Sequence, residues 1–222
     1  MRRTALVIAP HPDDEVLGVG GTIARLADEG VEVTVVILTR GYPPQYSEEE
    51  LRVNRAQAAH AHALLQVKET LFLDFPAAAL DSVEHRILNK SLGDIFERVS
   101  PEYMFIPFAG DIHLDHQIAF RSALVACRPH GGHAPKAVFA YETLSETNWN
   151  APFITPGFIP NTFFDISSYL ERKLQAFACY ANQVRKFPNE RSPETLRALA
   201  MLRGSTVSLP AAEAFIAIRQ VL

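Results

Sequence analysis

The chain has 222 residues, 48% of them hydrophobic and 21% charged, which suffices for a sizeable core and matches an ordinary globular protein. A formal charge of -4 gives no electrostatic footprint for nucleic acid or an anionic membrane, so a small neutral or anionic substrate fits better than a polyanion. No apolar run approaches the roughly 20 residues needed to span a bilayer, and Cys127 and Cys179 suggest no disulfide framework, which points to a cytoplasmic protein with reduced thiols.

The segment Met1 to Thr4 is basic like the start of a signal peptide, but the apolar stretch behind it is short, and Thr4 to Ala9 reads as a first strand. It runs into Pro10-His11-Pro12-Asp13-Asp14-Glu15 and then Leu17-Gly18-Val19-Gly20-Gly21. Helical spacing follows over Gly20 to Glu29, Glu48 to Leu65 and Leu80 to Val99. Strand-like runs lie at Val33 to Leu38, Thr70 to Leu73, Tyr103 to Pro107 and Ala137 to Tyr141. Near-continuous apolar strands alternating with helices predict a doubly wound, mostly parallel α/β sheet with helices on both faces. Asn148 to Pro160, rich in proline, reads as a long loop able to cover a site, and helices are predicted over Ser168 to Arg185, Ser192 to Arg203 and Pro210 to Leu222. The chain is thus read as one domain over residues 1–222, with an α/β core over 1–145 and a loop and helical C-terminal part over 146–222.

Ligands of such sheets sit beyond the carboxyl ends of the strands, where His11 to Glu15 and Ala109 to His116 both fall. A hydrolytic zinc site needs about three histidine or carboxylate ligands, an open position, and a base that is not a ligand. His11 and Asp14, three residues apart on a turn, can face one ion, while Asp13 between them points elsewhere and can take a proton from water. In His113-Leu114-Asp115-His116 the histidines are spaced i, i+3, so that one can ligate while the other stays free.

With Pro10-His11-Pro12-Asp13-Asp14-Glu15 and His113-Leu114-Asp115-His116, the chain resembles the LmbE-like or PIG-L family of zinc-dependent N-deacetylases, which act on N-acetylglucosamine-type sugars. Tyr141-Glu142-Thr143 is similar to segments of that family, whose fold is Rossmann-like. The resemblance implies His11, Asp14 and His116 as metal ligands, Asp13 as general base, and His113 as a cationic polar catalyst oriented or tuned by Asp115. It implies a substrate arginine in the helix after the second strand, here Arg52 or Arg55, and a tyrosine contacting the intermediate, here Tyr180. It also implies Zn2+, with Fe2+, Mn2+ or Co2+ admitted by the same donors, a small N-acetyl sugar as substrate, and a homo-oligomer. Two other functions remain open: an amidase acting on a larger thiol-sugar or antibiotic-type amide, and an inactive sugar-binding or assembly subunit.

Other readings accompany these residues. The acids at 13–15 alone would pass for an ordinary helix start, and Glu15 has no catalytic role. The glycine cluster invites a dinucleotide reading but suits close helix-to-sheet packing better. His60, His62 and His85 read as surface or packing residues, His130 and His133 as members of a solvated loop, and Trp149 as a loop anchor or a stacking surface for a sugar.

Overall fold

The computed structural model describes residues 3–129, 134–151 and 153–221, so His130 and His133 lie outside the described residues. Seven strands form one sheet in the order β3-β2-β1-β4-β5-β7-β6. The first five, β1 (Thr4–Ala9), β2 (Glu32–Arg40), β3 (Glu69–Pro76), β4 (Tyr103–Pro107) and β5 (Ala137–Tyr141), pair in parallel. Because side chains alternate across a strand, β1 feeds two separate cores. Ala5, Val7 and Ala9 face one, with α1 (Asp14–Asp28), α2 (Glu48–Leu64), α5 (Leu170–Ala178) and α6 (Pro193–Ser205). Leu6 and Ile8 face the other, with α3 (His85–Val99) and α4 (Leu114–Ala126). The expected doubly wound sheet, covered on both faces, is what forms.

Local chemistry sets the helix boundaries. Ser47 and Glu50 close a reciprocal capping box at the start of α2, and Ser192 caps α6 ahead of Pro193. α1 begins at Asp14, earlier than the glycine-led spacing suggests, with two acids in its first turn. The glycines do permit close packing: a Cβ at Gly18 would lie 2.2 Å from the Tyr141 ring, and one at Gly21 would lie 2.8 Å from Ile166. The stretch after β3 divides into a 3-10 turn at Leu80–Ser82 and α3.

The C-terminal part departs from expectation. Pro210 to Leu222, read as a helix, contains strand β7 (Ala212–Gln220), which lies antiparallel between β5 and β6 (Thr162–Asp165). Phe215 packs in one core and Ile216 against the other, a period of two that alanine-rich composition concealed. The helix expected to reach Arg185 stops at Ala178, and the chain turns to bury Tyr180 against α1.

A buried ion pair ties these additions to the core. Lys173 Nζ on α5 meets Glu213 Oε1 on β7 at 2.6 Å and the Leu17 carbonyl at 2.7 Å, while Glu213 accepts from the amides of Gly21 and Thr22.

Candidate metal centre

The strand order reverses between β1 and β4, so the loops after these two strands open onto one crevice. His11 to Asp13 lie in the first loop with Asp14 opening α1, and Asp111 to His113 lie in the second with Asp115 and His116 in the first turn of α4. His11, Asp14 and His116 place ligand atoms within 4.8 Å of one another. His11 Nδ1 lies 3.3 Å and His116 Nε2 lies 3.2 Å from the same oxygen, Asp14 Oδ2.

Each imidazole is oriented by a carboxylate on its far nitrogen. His11 Nε2 meets Asp115 Oδ2 at 2.9 Å, and His116 Nδ1 meets Asp111 Oδ2 at 2.8 Å. Asp111 Oδ1 in turn accepts from the Thr147 hydroxyl at 2.6 Å. These bonds leave His11 Nδ1 and His116 Nε2 turned inward, and among the described residues the fully buried His116 Nε2 has no hydrogen-bond partner. An inward nitrogen with no partner, beside a carboxylate and a second imidazole, has the donor chemistry of a metal ligand, and carboxylate-buttressed histidines are usual around such ions. Burial opposes protonation of His11, yet Asp115 and Asp14 hold its pKa up at about 9, and Asp14 with Asp111 likewise holds His116 at about 10. The cluster attracts positive charge, and the residues present fit a cation.

A second grouping, His11, His113 and Asp115, shares His11. Its Asp115 is already occupied, because its oxygens also accept from the Ala78 and Leu80 amides at 2.7 and 3.1 Å. The Asp115 carboxylate hydrogen-bonds to His11, and at His113, which it was expected to orient or tune, its charge raises the pKa against burial. What reaches His113 is the Asp115 backbone N-H, which donates to Nδ1 at 3.1 Å and leaves the ring proton on Nε2. His113 caps α4, and burial and the neighbouring His11 lower its pKa.

Asp13 sits at the N-cap of α1 with φ 110, a left-handed conformation that costs a non-glycine residue about 1–3 kcal/mol. Its side chain is thrown away from the Asp14 cluster, and Oδ2 accepts from Arg191 Nη1 at 2.7 Å. Burial pushes the Asp13 carboxyl up, with the Arg191 charge opposing it. Arg191 is fixed by Gln183 and Ser145 and lies 3.6 Å from Glu146. A cleft of about 230 Å³ opens over these groups, walled by His11, Asp13, His113, Glu146, Tyr180 and Arg191 among others. A wider groove of about 1210 Å³ at the amino-terminal ends of the strands is lined by charges that pair with one another, such as Arg98 with Glu69 and Lys136 with Glu102.

Of the three expected substrate contacts, Arg52 and Arg55 are not brought to this cleft and Tyr180 is. The Arg52 side chain is 78% exposed and paired with Glu49. Arg55 lies over the Phe72 ring and pairs with Asp74. Tyr180 lines the cleft, but its hydroxyl donates to Glu15 at 2.6 Å and is 1% exposed as a residue. Trp149, 58% exposed, is no part of the wall. The arginine that does enter is Arg191, for which nothing in the sequence pattern gave a signal. Asp111, two residues before His113, stood beside a recognised motif and was passed over.

The family model for PIG-L, described as GlcNAc-PI de-N-acetylase, matches residues 6–127, which carry every histidine and acid of this cluster. The chain belongs to the PIG-L family. It is 28% identical to the diacetylchitobiose deacetylase of Thermococcus kodakarensis, over 91% of this chain and 78% of that protein. The structure of the N,N'-diacetylchitobiose deacetylase of Pyrococcus horikoshii matches with a TM-score of 0.77 and 26% identity, covering 97% of this chain and 84% of that one. The structure of 4-carboxy-2-hydroxymuconate hydratase from Pseudomonas putida KT2440 matches with a TM-score of 0.79 and 25% identity, covering 99% and 98% of the two chains. Among the described residues no helix is long and apolar enough to cross a membrane.

Proposed function

We propose that this PIG-L protein is a metal-dependent deacetylase that removes the N-acetyl group from an N-acetylated amino sugar or sugar conjugate, releasing acetate. The observation that carries the reading is the inward, partnerless Nε2 of buried His116 facing Asp14 and His11, with the unligated carboxylate of Asp13 on the cleft wall beside them. The family description and the sugar deacetylases among the relatives support the substrate class.

His11 Nδ1, Asp14 Oδ2 and His116 Nε2 would hold the cation, and zinc is the proposed ion because mixed histidine and carboxylate donors suit it. When bound, that ion supplies Lewis-acid polarisation of the amide carbonyl and acidifies water. Asp13 takes the proton from the attacking water and returns it towards the leaving nitrogen, its oxygen aimed by Arg191. His113 presents Nε2-H to the developing oxyanion, its ring fixed by the Asp115 amide on Nδ1. Glu146 and Tyr180 complete the wall that the sugar would meet. The unpaired cysteines, Cys127 and Cys179, suit the reducing cytoplasm.

The test is acetate release from a panel of N-acetyl sugars by zinc-loaded protein, with Asp13→Ala as control. The variant is expected to keep its zinc and to lose turnover by at least about 100-fold. An active Asp13→Ala protein refutes the assignment of the base. A second reading is favoured by the near-complete coverage of the hydratase structure: the same activated water would add across a carbon-carbon double bond of a carboxylate substrate. Loss of ultraviolet absorbance from a conjugated unsaturated dicarboxylate, without acetate release from any sugar, selects that reading.

A further inference from the structure

Glu15 is fully buried, and two residues distant in sequence, His62 and Tyr180, converge with the nearby Asp13 amide on its carboxylate. Oε1 accepts from the Tyr180 hydroxyl at 2.6 Å and faces His62 Nε2 at 3.1 Å. Oε2 accepts from the backbone N-H of Asp13 at 3.1 Å. On the far side, His62 Nδ1 meets the Thr70 hydroxyl at 2.6 Å. One assignment satisfies every group: the Thr70 O-H donates to Nδ1, Nε2-H donates to Glu15, and Glu15 receives the Asp13 amide.

The Asp13 amide belongs to the residue whose backbone is left-handed and whose carboxylate meets Arg191. A non-glycine residue persists in that conformation only when its surroundings over-determine it. Here the bond from Asp13 N-H to Glu15 grips the backbone while Arg191 grips the side chain. Like the acid of a capping box, Glu15 reaches back to the N-cap amide, but it is fully buried and spends its other oxygen on Tyr180 and on a chain leading through α2 to β3.

We propose that Glu15 is a positioning residue for the general base: it holds the Asp13 backbone in its left-handed turn, and His62 with Thr70 and Tyr180 hold Glu15. The kinetic part of this proposal rests on the deacetylase reading; the geometric part does not. The experiment uses zinc-loaded full-length protein carrying Glu15→Gln, which preserves volume but replaces an accepting oxygen with a donating amide. Its crystal structure is expected to show Asp13 out of the left-handed region and its contact with Arg191 broken. With N,N'-diacetylchitobiose as probe, kcat is expected to fall about 100-fold, as small misplacements of reacting groups can cause, while KM stays within about threefold and zinc content is unchanged. Retention of both the Asp13 turn and the Arg191 contact overturns the proposal, as does unchanged kcat or loss of zinc in step with activity. If the wild-type protein leaves the probe intact, the deacetylase reading fails for that sugar and the crystal structure alone decides this inference. Should Glu15→Gln not fold, the Thr70 pair replaces it. Thr70→Val is expected to lower kcat at least about threefold and Thr70→Ser to restore it, and equal rates in the two overturn the relay.

Discussion

Replacing Asp111 with Asn probes whether the outer carboxylate tunes the cation site. Asp111 is fully buried, with Oδ2 on His116 Nδ1 at 2.8 Å and Oδ1 on the Thr147 hydroxyl at 2.6 Å. Asn keeps the volume and one carbonyl oxygen. If that oxygen stays on Nδ1-H, the new amide meets Thr147, whose hydroxyl can turn to accept. The bond to His116 then survives as a neutral one, a change from about 1.5–3 kcal/mol to about 1 kcal/mol. The charge that makes His116 a more basic ligand is lost as well, and removal of such outer partners typically weakens metal affinity 10- to 100-fold. That range corresponds to about 1.4–2.8 kcal/mol, consistent with the hydrogen-bond difference. The assay is zinc titration of metal-free protein against a chelator of known affinity, with circular dichroism to confirm the fold. Thr147→Val, which removes the hydroxyl that donates to the same carboxylate and accepts from the Thr143 amide but leaves the charge of Asp111 in place, is expected to weaken binding a few-fold. A folded Asp111→Asn protein whose zinc Kd lies within about twofold of wild type would refute the reasoning.

Other outcomes follow from the same geometry. Arg191→Met removes the cation on Asp13, a charged hydrogen bond of about 1.5–3 kcal/mol, so kcat for acetate release should fall roughly 10- to 100-fold with zinc retained; a change confined to KM would contradict it. Lys173→Met leaves the Glu213 carboxylate buried without its cation, and urea denaturation should show a loss of about 3–5 kcal/mol, much of it recovered in the double variant with Glu213→Leu; a loss under about 1 kcal/mol would be inconsistent. Gly18→Ala drives a methyl into the Tyr141 ring and should cost at least about 1–3 kcal/mol, so an unchanged Tm would show that the ring can move aside.

The legible part of the fold was the part with local signals. Each of β1 to β5 is an apolar run bounded by helical spacing, and the burial of Leu6 and Ile8 on one face against Ala5 and Val7 on the other follows from period two alone. That the loops after β1 and β4 meet follows from strand order, whereas the choice of His116 beside His11 and Asp14, which do lie together, rests on the family resemblance. β7 was missed because Ala212 to Gln220 offers few turn signals and much alanine, and only pairing with β5 and β6 makes it extended. Arg52 and Arg55 lie in the helix after the second strand, where the family resemblance implies a substrate arginine. The cleft instead takes its arginine from a segment 178 residues away from Asp13, an encounter set by the turn after α5 and invisible to spacing. That the Asp115 carboxylate bonds to His11 while its backbone N-H bonds to His113 is not legible from spacing, because side-chain direction at a helix start depends on the cap, and His113 itself is that cap.

Three consecutive buried acids, Asp13, Asp14 and Glu15, would repel one another if their side chains shared a face, and each must therefore find separate compensation. The left-handed turn at Asp13 makes this possible. It sends Asp13 to Arg191, while the helix that starts at Asp14 sends that carboxylate to His11 and His116 and sends Glu15 to His62 and Tyr180. A residue at position 13 in ordinary helical conformation would carry its carboxylate along a different direction, away from Arg191. The strain of the turn and the separation of the proposed base from the proposed ligand one residue on are thus one feature: the backbone conformation of Asp13 is what lets adjacent aspartates occupy different electrostatic environments, one beside a guanidinium and the other between two imidazoles.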